Sequence, residues 1–156
     1  MRYSKGLILY HDEPEYGLFL KLIAVAFPAL LSAASIYLFY IGERQGGLTL
    51  LAEVFVVSLI FLSVFPRSYQ VYEDHLRIVL GGPFSVKVRF AQIKSVEVTR
   101  KISFGVNFAT RMTGSYVAIS VKRGWTIAIT PKDNNQFADN ANRALNEWVK
   151  AGSSRS

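Results

Sequence analysis

Cysteine is absent from this chain, and histidine occurs only twice, at His11 and His75. Without cysteine there is no disulfide framework, no thiolate nucleophile and no Cys-based metal site, and the redox compartment stays open. No catalytic motif is present, so neither an enzymatic activity nor a cofactor is expected. Charge is missing as well from two long stretches. Residues 22–41 hold no charged side chain, and residues 48–65 hold one, Glu53. At about 1.5 Å per residue, twenty helical residues span roughly the 30 Å hydrocarbon core of a bilayer. The six residues between the runs, GERQGG, turn the chain straight back. The pair therefore reads as a membrane-embedded helical hairpin.

What is there surrounds that hairpin. The 156 residues allow one modest soluble domain beside it. Hydrophobic residues make up 51% of the chain and mean hydropathy is +0.24, an excess concentrated in residues 22–65. From Pro66 onward 14 Lys/Arg meet 6 Asp/Glu, a net of +8, whereas before it 4 meet 5, a net of −1; together they give the overall +7. Basic residues collect on the cytoplasmic flanks of membrane helices. The hairpin loop carries only Arg44, while Arg2, Lys5 and Lys21 precede the first run and Arg67 and Arg77 follow the second. A multi-pass protein of the cell membrane with both termini cytoplasmic is expected. The first run starts late, after the acidic HDEPE, and reaches full spanning length, unlike a cleaved signal peptide.

The pattern divides the chain into a cytoplasmic lead-in at 1–21, the hairpin at 22–65 (helices 22–41 and 48–65), a soluble domain at 66–152 and a tail at 153–156. Tyr3, Tyr10, Tyr16 and Phe19 suit an interfacial belt, and Ala29 with Ala33 offers a small-xxx-small site for close helix approach. Beyond Pro66 the apolar period becomes two. Leu76, Ile78 and Leu80, then Val86, Val88 and Phe90, Val96 and Val98, Val117, Ile119 and Val121, and Trp125, Ile127 and Ile129 each alternate with other residues across turns at Glu73-Asp74-His75, Gly81-Gly82-Pro83 and Arg123-Gly124. Such runs predict an antiparallel meander with one buried face. Phe137, Ala141, Leu145 and Trp148 make the apolar stripe of a final helix, with Thr130 as cap, Pro131 at the first helical position and Gly152 as stop.

Three segments, QVYEDHLRIVLGG, VRFAQIKSVEV and SYVAISVKRGWTIAITPKDNNQFADNANRAL, in that order resemble the bacterial pleckstrin-homology-like (PH-like) domains found next to membrane helix pairs. The resemblance covers about residues 68–150. It implies an α+β, mainly-β domain beside the membrane α-hairpin, with a strongly bent antiparallel sheet of six to seven strands capped by a C-terminal helix. It also implies a non-enzymatic role in binding or membrane-protein assembly.

Candidate contact residues follow from charge and alternation. Lys87 and Arg89 point off one face of a strand, Arg100 and Lys101 end the next, and Lys122 and Arg123 sit at the last turn. An anionic leaflet attracts such residues by about 1 kcal/mol each, although the same charges serve topology and solubility. In KISFGVNFATRMTGS, Phe104, Phe108 and Arg111 would form a membrane-dipping or partner-binding edge if exposed, and an ordinary strand of the sheet if not. The first turn of the domain carries Glu73 and Asp74, which would repel an inositol polyphosphate. No continuous basic groove with aromatic platforms supports nucleic-acid binding. His11, Asp12, Glu13 and Glu15 hold metal-ligand atoms, but no second cluster completes a site, and no metal is expected. Glu53 is shallow enough to reach the interface, with Arg44 as a nearby partner.

The sequence thus predicts a membrane-anchored cytoplasmic module for binding or scaffolding, engaging the lipid bilayer and either a protein partner or further copies of itself. An anionic-lipid sensor at the inner leaflet is the alternative, and a transporter subunit or enzyme the least supported.

Overall fold

The computed structural model describes residues 7–101, 105–111, 114–122 and 124–153. The element order is β1 (Ile8–Asp12), α1 (Leu18–Tyr40), α2 (Arg44–Val64), β2 (Pro66–Tyr72), β3 (His75–Leu80), β4 (Ser85–Arg89), β5 (Ile93–Thr99), β6 (Gly105–Phe108), β7 (Tyr116–Val121), β8 (Thr126–Ile129) and α3 (Asn134–Ser153). A 3-10 turn at Phe90–Gln92 joins β4 to β5.

Both α1 and α2 are long and apolar enough to cross a membrane, with mean hydropathies of 2.1 and 2.3 over their most apolar stretches, of which only 6% is buried. A soluble core helix would bury its apolar side chains. These helices instead present Leu22, Val25, Leu30, Phe55, Leu59 and Leu62 outward. Each begins four residues earlier than expected, and the connection shrinks to Ile41, Gly42 and Glu43. Gly42 sits at φ 89°, a conformation that costs a side chain energy and glycine none. Ala29 and Ala33 lie exposed rather than between the helices. Close approach occurs instead at Ser35, fully buried, whose hydroxyl donates to the Gly47 carbonyl at 2.8 Å. Arg44 opens α2 and makes no ion pair with Glu53, which is exposed.

The eight strands form two four-stranded sheets, ordered β1-β2-β3-β4 and β5-β7-β8-β6. Antiparallel pairing dominates, as the alternation predicts, but β6 runs parallel to β8. Gly105 makes that pairing fit, because a Cβ there would lie 1.9 Å from the Thr126 carbonyl oxygen. One core fills the space between the sheets and α3, built from Tyr69, Val71, Leu76, Ile78, Phe90, Val117, Ile119, Ile127 and Ile129 with Phe137, Ala138 and Ala141 of α3. Val98, Trp125 and Trp148, expected inside, are exposed, although Trp148 meets Phe90 edge-on at 6.4 Å. Thr130 does not cap α3. Asp133 does, accepting the Gln136 N–H at 2.9 Å, and the helix runs through Gly152 to Ser153.

The larger correction concerns the lead-in. Residues expected to be a polar segment outside the domain supply β1, which pairs antiparallel with β2 through Ile8–Tyr72, Tyr10–Val71, His11–Gln70 and Asp12–Tyr69. Tyr10 packs edge-on against Phe137 of α3 at 6.1 Å. The hairpin therefore lies between two hydrogen-bonded neighbours of one sheet.

Candidate functional site

Five residues, 13–17, carry the chain from β1 to α1, and one residue, Phe65, carries it from α2 to β2. The first connection is sewn to the domain. The Glu15 N–H donates to the Thr130 carbonyl and the Gly17 N–H to the Thr110 carbonyl, each at 2.9 Å, while the Lys132 N–H donates to the Glu13 carbonyl at 2.9 Å. Pro14 pairs with Pro131 as an isolated bridge. Beneath them the Thr110 hydroxyl donates to the Glu15 carbonyl at 2.7 Å. That leaves the Thr130 hydroxyl to donate to Thr110 Oγ1 at 2.9 Å, while Thr130 Oγ1 accepts the Thr110 N–H at 2.9 Å. Both threonines are buried, so the network meets the requirement that buried polar groups find partners. Tyr69 closes this seam from below, donating its hydroxyl to the Phe108 carbonyl at 3.1 Å. Burial pushes the Tyr69 phenol well above its ordinary 10.0.

Arg111 belongs to the same clamp. Its guanidinium pairs with the Glu15 carboxylate and donates to the Ser115 carbonyl at 3.0 Å. Phe108 is half-buried against the core. Neither is a free edge; both are part of the ordinary strand and its turn. Phe104 and Arg123 fall outside the described residues.

The remaining basic candidates separate into three places. Lys87 and Arg89 project exposed from β4, the edge of the first sheet. Arg100 and Lys101 follow the end of β5 and are exposed. Lys122 sits near the start of β5, its N–H donating to the Gln92 carbonyl at 2.8 Å. The length of β5, about 20 Å at strand rise, therefore divides Lys122 from Arg100 and Lys101. Only the β4 pair gains company. Arg77 stands directly opposite Lys87 and His75 opposite Arg89, and Gln70 and His11 continue the Arg77 row across β2 and β1. Like charges opposite one another on a sheet repel, and Arg77 Nε is buried without a hydrogen-bond partner. His75, stacked on Tyr72 at 4.5 Å, is paired with Asp74 and adds no free charge. Arg77, Lys87 and Arg89 thus form one cationic face with no ion-pair partner among the described residues. Arg77 was legible only as a charge after the hairpin, because its neighbour across the sheet is ten residues away.

Among the described residues no group of three or more His, Cys, Asp or Glu is placed to hold a metal ion. His11, at the centre of the acidic lead-in, is a strand residue opposite Gln70.

The two sheets and the C-terminal helix have their counterpart in a known family. The family model of the bacterial PH domain matches residues 67–141. That segment is a bacterial PH domain. The match opens at β2 and ends within α3, so β1, on the far side of the hairpin, is an addition to it. PH domains are typically binding modules rather than catalysts. Comparison with the curated proteins gives no match.

Proposed function

We propose that this chain is a membrane-anchored binding and scaffolding module, whose PH domain works at the inner face of the cell membrane on membrane proteins or further copies of itself. The observation that carries the reading is the insertion of the apolar hairpin between β1 and β2. Because those strands are hydrogen-bonded neighbours, both ends of the hairpin emerge on the same side, and the domain is held against the bilayer by a single residue after α2. The basic flanks support placing that side in the cytoplasm. Among the described residues the outer edge of β4 is unpaired and offers backbone groups for strand addition by a partner, whereas on β5 the Val96 carbonyl is already taken by the Asn142 side chain of α3.

The test uses the full-length chain in native membranes. It should resist alkaline carbonate extraction, and photocrosslinking from Val86 in β4 should give a reproducible adduct, either a dimer or one partner. Release by carbonate overturns the anchoring, and absence of any adduct overturns the scaffold.

A second reading is contact with anionic headgroups through Arg77, Lys87 and Arg89. The repulsion between opposed cations supports it, since a bound anion would relieve it. Flotation of a variant in which residues 18–64 are replaced by a flexible linker would show salt-sensitive binding to acidic vesicles over neutral ones.

A further inference from the structure

Where the two helices meet the PH domain, a groove of about 420 Å³ opens between them, lined by Ala24, Pro28, Ser58, Phe61, Leu62 and Phe65, with Tyr16 and Arg67 at its mouth. That volume lies in the range of small-ligand sites. Its composition changes along its length. The far end, at Ala24, Pro28 and Ser58, is apolar but for the Ser58 hydroxyl, Phe61, Leu62 and Phe65 follow, and the mouth carries a guanidinium and a phenol.

The polar end is fixed in place. The Tyr16 hydroxyl donates to the Pro66 carbonyl, and Tyr16 and Phe65 meet edge-on at 6.3 Å. Arg67 is exposed and makes no ion pair among the described residues. The nearest acidic residue of the linker, Glu15, is already engaged by Arg111. Pro28, ten residues into α1, lies about 15 Å along the helix from Leu18, which is the depth of one leaflet of a hydrocarbon core of about 30 Å. Pro28 also has no N–H to return to the Ala24 carbonyl, so the groove wall includes a residue whose helical hydrogen bond is missing.

We infer that this groove is a binding site for one anionic glycerophospholipid, with an acyl chain between α1 and α2 and the phosphate against Arg67. An apolar slot one leaflet deep, ending at an unpaired cation, matches a lipid tail and a negative headgroup together. A free phosphate would use only the mouth, and a zwitterionic lipid would offset its phosphate with an ammonium of its own beside Arg67. The inference rests on the membrane anchoring proposed above but not on any protein partner.

Native mass spectrometry of the full-length protein, released from nanodiscs of equimolar phosphatidylglycerol and phosphatidylcholine, reads the site. One phosphatidylglycerol should be retained in preference to phosphatidylcholine, and Arg67→Gln should reduce that preference about fivefold, the effect of one juxtamembrane cation. Ala24→Phe, which fills the groove and leaves the charge, should remove retention of either lipid. Lys150→Gln, in the last turn of α3 and outside both cationic sites, should change nothing. Equal retention of the two lipids by the natural sequence overturns the site without the need of any variant, as does an undiminished preference in Arg67→Gln. Carbonate extraction of the same preparations separates the two ideas. Protein that stays in the membrane without lipid preference refutes the groove alone, whereas protein that is extracted refutes the anchoring.

Discussion

Gly81 lies against the end of α2 so closely that a Cβ on it would sit 1.4 Å from the carbonyl oxygen of Leu62. The Gly81 N–H also donates to the Phe65 carbonyl at 3.0 Å. The turn between β3 and β4 is thus the surface on which the second helix rests, and only a residue without a side chain fits.

Gly81→Ala should force the helix end and the turn apart. Overpacking against backbone that cannot rotate away costs about 1–3 kcal/mol or more. Thermal unfolding in detergent should show the loss. Gly46→Ala is the opposite case, since Gly46 lies in α2 and its Cβ would meet Leu38 of α1 at an ordinary 3.5 Å, and replacing a helical glycine should stabilise by up to about 1 kcal/mol. Equal effects of the two substitutions would contradict the close contact at Gly81.

The clamp on the linker predicts an order of severity. Thr130→Val leaves the buried Thr110 N–H without its acceptor and should cost about 1–3 kcal/mol. Glu15→Gln removes an ion pair whose side chains are 42% and 23% exposed, and solvent screening limits such pairs to roughly 0–1 kcal/mol. Urea titration of the two variants should therefore rank threonine above glutamate.

Tyr69 predicts a loss of stability in alkali. Burial raises its folded pKa above the ordinary 10.0, so the folded state holds the proton more tightly than the unfolded one. Its contribution is complete below about pH 10 and declines as pH rises through the unfolded value, by up to about 1.4 kcal/mol per pH unit. Tyr69→Phe should flatten that decline, although Tyr10 and Tyr16, also raised chiefly by burial, keep part of it. An unchanged slope between pH 9 and 11 would count against the role assigned to Tyr69.

A fragment of residues 67–156 should behave poorly, because it lacks β1 and exposes the β2 edge and the Phe137 ring that Tyr10 covers. Joining Gly17 to Phe65 by a short Gly-Ser linker restores the strand. That chain should be monomeric with one cooperative transition, whereas the fragment should self-associate. Size-exclusion chromatography and calorimetry distinguish them.

Much of this was legible in local patterns. The hairpin declares itself by twenty uncharged residues, and β3, β4, β5, β7 and β8 by alternation about short turns. Long stretches of one period need no knowledge of distant partners. β1 was hidden for two reasons. Leu7 just before it and its own Ile8 and Leu9 are apolar in succession, and its partner β2 begins on the far side of both helices. β6 was ambiguous because a parallel pairing is set by β8, not by its own four residues. Thr130 carries every mark of a helix cap, yet tertiary hydrogen bonds to Thr110 claim it. The basic residues were all visible as charges, but only the strand register shows that Arg77 and Lys87 face each other.

The pairing of β1 with β2 also sets an order of events during synthesis. β1 precedes both helices and has no partner until they and β2 have followed it. The first strand therefore joins a sheet whose other members are all made after the helices, and the domain cannot close before the whole hairpin has been synthesised.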